Sequence, residues 1–222
     1  WGKLRFRDEA LLSTICEGIG ELRSLNAFDL SNIVYSLGLL NFRHAGFLRE
    51  VCAHVPSRMA EFSAQGLSNT VYSLAQLHFH HTPFLQAICA HLHSRLGEFH
   101  SQGISNTVYA LGQFNHRDTG LCLAICIHAA PRLHSFNGQS VTNTLDGFAR
   151  VGYHSTAFLL TVCRHVPQRV GNLNAGDIAS IAYEVARACD HSLDLRKQPC
   201  PSRLSTRSTT VVGEIPSILP SR

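Results

Sequence analysis

Four slots along this chain are refilled every 37 residues, mostly with polar side chains. Asn32, Asn69, Asn106 and Asn143 fill the first, and Ser180 continues it. Tyr35, Tyr72, Tyr109, Asp146 and Tyr183 fill the second. The third runs Ser36, Ser73, Ala110, Gly147, Glu184, and the fourth Leu39, Gln76, Gln113, Arg150, Arg187. Within one unit these slots fall at i, i+3, i+4 and i+7, one face of a helix. Asn, Gln, Ser and Arg carry the donors and acceptors that read base edges, and a Tyr ring can stack on a base. Polar residues that vary on a constant frame are what a modular reader of bases shows. Two plainer roles stand beside that one. A repeated Asn can bond the backbone of its neighbour and lock a stack, and a repeated Tyr can pack between units.

A second set recurs at the same spacing. Arg58, Arg95, Arg132 and Arg169 each stand four residues after His54, His91, His128 and His165, so on a helix each pair shares a face. A column of four Arg could hold a phosphate backbone. Alternatively each Arg caps carbonyls at its helix end or pairs with an acidic neighbour, as Glu61 and Glu98, three residues on, invite. The four His read as boundary residues rather than catalytic bases. Cys52, Cys89, Cys126 and Cys163 occupy one position of successive units and read as free, buried thiols, which implies a reducing compartment. Cys-x-His puts its two members on different helix faces, no close pair of Cys-x-x-Cys sites exists, and the "HFHH" histidines (His78, His80, His81) are not periodic, so no metal is expected. There is no Gly-rich phosphate loop, Gly-x-Ser-x-Gly or His-Glu-x-x-His. The expectation is a protein that is not an enzyme, with no cofactor and no small-molecule substrate.

The elements that would position these residues follow from apolar spacing. In "LSNTVYSLAQL", Leu67, Val71, Leu74 and Ala75 form a helical stripe; in "FLQAICAHLHSRL", Phe84, Leu85, Ile88, Cys89, Leu92 and Leu96 form another. A polar link with Pro83 separates them, so each unit is a helical hairpin. First helices are predicted to begin near 27, 64, 101, 138 and 175, after caps at Asn26, Ser63, His100, Asn137 and Asn174. Asp29 and Asp177 fall three residues after their caps and suit the helix dipole. Second helices are predicted near 10, 47, 84, 121 and 157. Neither helix buries its stripe alone, whereas stacked hairpins share one core. The predicted fold is all-α: an α-α superhelix, or solenoid, of about four and a half 37-residue hairpins. Its units are 30–66, 67–103, 104–140, 141–177 and a partial 178–189. Residues 10–25 form an orphan second helix, in which Leu11, Leu12, Ile15 and Cys16 match Phe47, Leu48, Val51 and Cys52. Residues 1–9 are a stub, and the Ser-, Pro- and Arg-rich 190–222 reads as a disordered tail. The array lacks polar capping units at both ends, so neighbours or a longer parent chain are expected.

The totals permit this and exclude little. The chain has 222 residues and a net charge of +4. Residues 1–189 hold 14 Lys+Arg against 12 Asp+Glu, a balance of +2 that permits a polyanion partner without demanding one. No apolar run of about 18 residues suggests a membrane span. The start at Trp1 suggests a fragment or processed product.

The words "LSNTVYSLAQL" and "ISNTVYALGQF", followed by an "F-L-x-x-I-C-x-H-x-x-x-R-L-x-x-F" segment, resemble the octotricopeptide repeats of green-algal organelle proteins. The unit length is similar to that of the heptatricopeptide repeats of alveolate organelle proteins; both kinds of array are found beside RAP domains. The resemblance implies an α-solenoid that binds single-stranded RNA in a mitochondrion or plastid, acting in RNA processing, stability, translation or ribosome assembly. In that reading the Asn, Tyr, Ser, Gln and Arg slots of the first helices face bases, and the Arg column holds phosphates. Tyr72 stands where the family often has Trp, no RAP domain lies in this span, and the repeat word degrades from Val141 on. The other function class is a protein–protein scaffold or structural subunit of an organellar ribonucleoprotein, which the weak net charge favours.

Overall fold

The computed structural model describes residues 8–19 and 22–197, and within the described residues the secondary structure is all helical. Its α-helices are α1 (Glu9–Gly18), α2 (Ala27–Leu39), α3 (Ala45–His54), α4 (Ala64–Gln76), α5 (Thr82–Arg95), α6 (Ser101–Gln113), α7 (Thr119–Ala129), α8 (Gly138–Arg150), α9 (Thr156–His165) and α10 (Ala175–Lys197). Short 3₁₀ segments, such as Val55–Glu61, end the second helix of most hairpins. The even-numbered helices start at the positions the apolar stripes and caps predict, each 37 residues after the last.

Local chemistry sets these boundaries. Asn26, Ser63, Asn137 and Asn174 accept from the backbone N–H three residues on, whereas His100 makes no such bond. Second helices have caps of their own in a column at 44, 81, 118 and 155: His44, His81, Asp118 and Ser155 accept from the N–H of Phe47, Phe84, Leu121 and Phe158. Each first helix from α2 to α8 ends in a left-handed residue, Asn41, His78, Asn115 or Gly152. The next N–H (Phe42, Phe79, His116, Tyr153) then donates five residues back to Leu37, Leu74, Leu111 or Phe148, a Schellman closure.

The even helices form one layer, with α2 on α4, α4 on α6, α6 on α8 and α8 on α10 in the densest contacts of the molecule. The odd helices form the second layer. Apolar columns from both layers meet between them: Val34, Val71, Val108 and Leu145 from the even helices, and Phe47, Phe84, Leu121 and Phe158 from the odd ones, are all buried. The close approach of the even helices needs small residues. A Cβ on Gly38 would lie 2.8 Å from the Cβ of Ser73, and one on Gly112 would lie 2.7 Å from the Cα of Gly147.

Several expectations shift. α1 stops at Gly18 and a separate 3₁₀ turn forms at Leu22–Ser24 within the expected orphan helix 10–25, of which residues 20 and 21 lie outside the described residues. α10 runs on to Lys197, past the expected boundary at 189. The remainder of the expected disordered tail, 198–222, lies outside the described residues, as do residues 1–7 of the stub. Cys52, Cys89 and Cys126 are buried, but Cys163 is exposed, and among the described residues no further odd helix covers it. Burial pushes the Cys52 and Cys89 thiols up to about 12 and Cys126 to about 11, so these three are inert apolar filling.

Candidate nucleic-acid interface

Each even helix uses three faces. On α4, Leu67, Val71 and Leu74 enter the core, Gly66, Thr70 and Ser73 sit buried on the side of α2, and Ser68 and Ala75 sit buried on the side of α6. What remains is Gln65, Asn69, Tyr72 and Gln76, half-buried or exposed. On α6 the same slots hold Gln102, Asn106, Tyr109 and Gln113. A groove between these two helices is lined by Tyr35, Gln65, Asn69, Gln102 and Asn106 among others. Gln65 and Gln102 were legible by the same 37-residue spacing and complete the set.

The Asn column deepens along the stack. Asn32 is exposed, Asn69 is half-buried, and Asn106 and Asn143 are buried. Asn143 accepts from Gln139 at 2.7 Å. The Tyr rings touch each other: Tyr72 and Tyr109 lie 5.6 Å apart, tilted by 43°. Gln76 donates to the Tyr72 hydroxyl at 2.7 Å. Burial, then the nearby Tyr72, raises the Tyr109 hydroxyl above the usual phenol range. Packing between units thus engages the Tyr, while both residues stay half-buried.

The third slot is not on the open face. Ser73 is buried against Gly38, Ala110 is buried, and Gly147 closes on Gly112; Ser36 is exposed, with no even helix before α2 among the described residues. The wheel angle of this slot lies at the border of the polar stripe, and neighbour packing claims it. In α10 it holds Glu184, buried beside Phe148 and Phe158. Burial raises that carboxyl above its ordinary range. Arg187 Nη2 lies 2.6 Å from Glu184 Oε2 and 3.6 Å from Asp146 Oδ1, close in charge but not aligned as a hydrogen bond. Arg150 donates from Nε to Asp146 at 2.7 Å. The fourth-slot Arg residues are therefore matched by acids, and the α4–α6 face offers neutral amides and phenols.

The arginine column has structural partners. Arg58 donates to the Leu25 carbonyl, Arg95 to those of Met59 and Phe62, and Arg169 to those of Leu133 and Phe136, each reaching back to the preceding hairpin. Arg58 and Arg95 also pair with Glu61 and Glu98, whose carboxyls are held below their ordinary range mainly by those hydrogen bonds. Capping carbonyls of the preceding hairpin is thus the role the geometry gives three of the four. Arg132 is exposed, and its guanidinium bonds the ring and the carbonyl of His128 in its own segment rather than a neighbouring hairpin. His54, His91, His128 and His165 titrate below the usual imidazole range, first from burial and then from the adjacent Arg.

Among the described residues no group of His, Cys, Asp or Glu could hold a metal, and no helix is long and apolar enough to cross a membrane. None of the curated proteins compared with this chain matches it. The profile of a family described as RNA-editing substrate-binding complex 6 protein matches residues 2–193. That family is not the octotricopeptide or heptatricopeptide one which the repeat word resembles, though both readings give an RNA-related helical protein. An arrayed face of amides and phenols on an all-helical frame, and a match over nearly the whole chain, lead to one assignment: the chain belongs to the RNA-editing substrate-binding complex 6 protein family.

Proposed function

We propose that this chain is a non-catalytic subunit of an RNA-editing ribonucleoprotein, and that it binds single-stranded RNA along the open face of its even helices. The family supports the RNA-editing role. The fold reading is an α-α superhelix of 37-residue hairpins, supported by helix starts, caps, left-handed residues and small-residue contacts that all keep that interval. The observation that carries the binding reading is the alignment of Gln65, Asn69, Tyr72 and Gln76 with Gln102, Asn106, Tyr109 and Gln113 beside an open groove. Amides read base edges and phenols stack, neither needing net charge. Organellar location also rests on the family, which supports the mitochondrion and lends nothing to the plastid.

Phosphate contact falls to Arg132 in this reading, because Arg58, Arg95 and Arg169 are tied to carbonyls of the preceding hairpin while Arg132 is exposed and holds only to its own helix end. With about one phosphate neutralised, log K should fall only shallowly with log salt, with a slope near −0.7. Anisotropy titration of an RNA pool at two salt concentrations tests this, with Gln76→Ala/Gln113→Ala beside the parent. Binding by the folded parent, weakened at least about tenfold in the double variant, is expected. No binding at low salt would sink direct recognition. A scaffold role is then the remaining reading; the engaged Arg column and exposed Leu123, Ile127 and Leu160 on α7 and α9 favour it.

A further inference from the structure

A Gln and an Asn recur four residues apart on α4, α6 and α8, and the three helices use them differently. On α8 the two satisfy each other, with Gln139 donating to Asn143 at 2.7 Å. On α4 and α6 the matching pairs, Gln65 with Asn69 and Gln102 with Asn106, make no such bond. Asn106 is only 9% exposed, as Asn143 is, yet among the described residues its amide takes no partner. A buried polar group without a partner costs stability. The Gln–Asn bond built one helix later would remove that cost. The Asn106 amide instead lines the groove between α4 and α6.

The groove suits one flat polar ring. It offers about 240 Å³, against about 20 Å³ for the apolar cavity beside Phe148 and Phe158. Amides stand on both banks, Gln65 and Asn69 from α4, Gln102 and Asn106 from α6. Two rings, those of Tyr35 and His100, also line it. His100 makes no capping bond, whereas Asn26, Ser63, Asn137 and Asn174 do, so its ring is free to meet a ligand. No Lys, Arg, Asp or Glu is among the lining residues.

We propose that this groove is a pocket for one unstacked adenine of a bound RNA, held between the amides of α4 and those of α6. The inference rests on the RNA-binding reading above and names what the centre of that face selects. An amide sets one donor beside one acceptor. Adenine answers that pattern twice, at N6–H with N7 and at N6–H with N1, and its two N6 hydrogens serve both edges at once. Unstacked bases of single-stranded RNA leave both edges open. Cytosine has N4–H with N3, and uracil has a single N–H, so each serves one amide in this two-bond way. The N7 and O6 of guanine are both acceptors and suit the paired donors of Arg, which the groove lacks. Adenine thus gives Asn106 the partner that the protein withholds, within reach of two rings that stack on bases.

Anisotropy titration of the full chain against short, unstructured RNAs tests this. The RNAs are a uracil-only strand and versions with one central A, G or C. The A version should bind about tenfold more tightly than the others. Replacing that A with 7-deazaadenine, which lacks N7, or with purine, which lacks the N6 amine, should each remove most of the margin. Asn69→Ala and Asn106→Ala should each bring the A-to-U affinity ratio close to unity. Asn106→Ala should not lower the melting temperature, because it deletes an amide that has no partner in the folded chain. RNA bound without preference for A overturns the pocket and leaves the RNA-binding face standing. A preference that survives both substitutions also overturns the pocket. No binding of any of these RNAs at low salt removes the face and the pocket together.

Discussion

At the scale of single residues, position in the 37-residue register decides role more than residue type does. His78 and His81 lie three apart in "HFHH", yet one is a left-handed helix terminator and the other an N-cap. A β-carbon in the left-handed region is a cost that Gly avoids, so His78→Gly should raise stability by up to about 1 kcal/mol despite the added chain entropy. A denaturation midpoint checks it. Arg95→Met should cost about 1–2 kcal/mol, because it takes a donor from the Phe62 carbonyl and from Glu98, while Arg132→Met should leave stability within about 0.5 kcal/mol. Equal losses at both positions would contradict the division of the column. The His column gives a pH dependence. Its four imidazoles titrate below their ordinary value in the folded chain, so the unfolded chain takes up protons first. Stability from this source is full above about pH 6.5 and is lost as pH falls below it. His91 Nε2 lies 2.8 Å from Arg95 Nη1, and a proton there would set two cations together. Thermal melts should therefore decline between pH 7 and 5.5, and His91→Gln should flatten that decline. The spacing of these residues was legible in the sequence. So were the Glu61 and Glu98 partners of Arg58 and Arg95, whereas the carbonyls reached in the preceding hairpin were not, because a carbonyl acceptor leaves no mark on residue type.

At the scale of elements, the helices and their starts were legible because caps and apolar stripes are local signals. The border between open face and packed face was not. Ser73, Ala110 and Gly147 sit a third of a turn from the core, and only the closeness of α2, α4, α6 and α8 shows that this slot is interhelical. Gly147→Ala separates the two readings by sign. Helix propensity alone makes it stabilising by about 1 kcal/mol. A β-carbon there would run into the Val108 carbonyl of α6, so overpacking should make it destabilising by about 2 kcal/mol. Equilibrium unfolding decides. Glu184 tests the same slot in α10. Its carboxyl titrates above the ordinary range, so the folded state favours the protonated form, and this cost is absent at acid pH and present above the folded value. Glu184→Gln should thus raise the melting temperature at pH 7 and leave it nearly unchanged near pH 4.

At the scale of the whole molecule, the stack turns a weak signal into a surface. One Asn and one Tyr on one helix specify nothing, whereas the α4–α6 pair sets eight amides and phenols side by side with no fixed charge among them. The α8–α10 end departs from this pattern: Asp146, Arg150, Glu184 and Arg187 neutralise one another there. In the proposed function RNA contact is therefore expected to centre on α4 and α6. Photocrosslinking with RNA carrying 4-thiouridine, followed by peptide mapping, tests that claim most directly, because it reads binding and place together. The account predicts adducts on peptides of α4 and α6 that hold Tyr72 and Tyr109, reduced by unlabelled RNA. Adducts confined to the odd helices, or none from a folded chain at low salt, would contradict it.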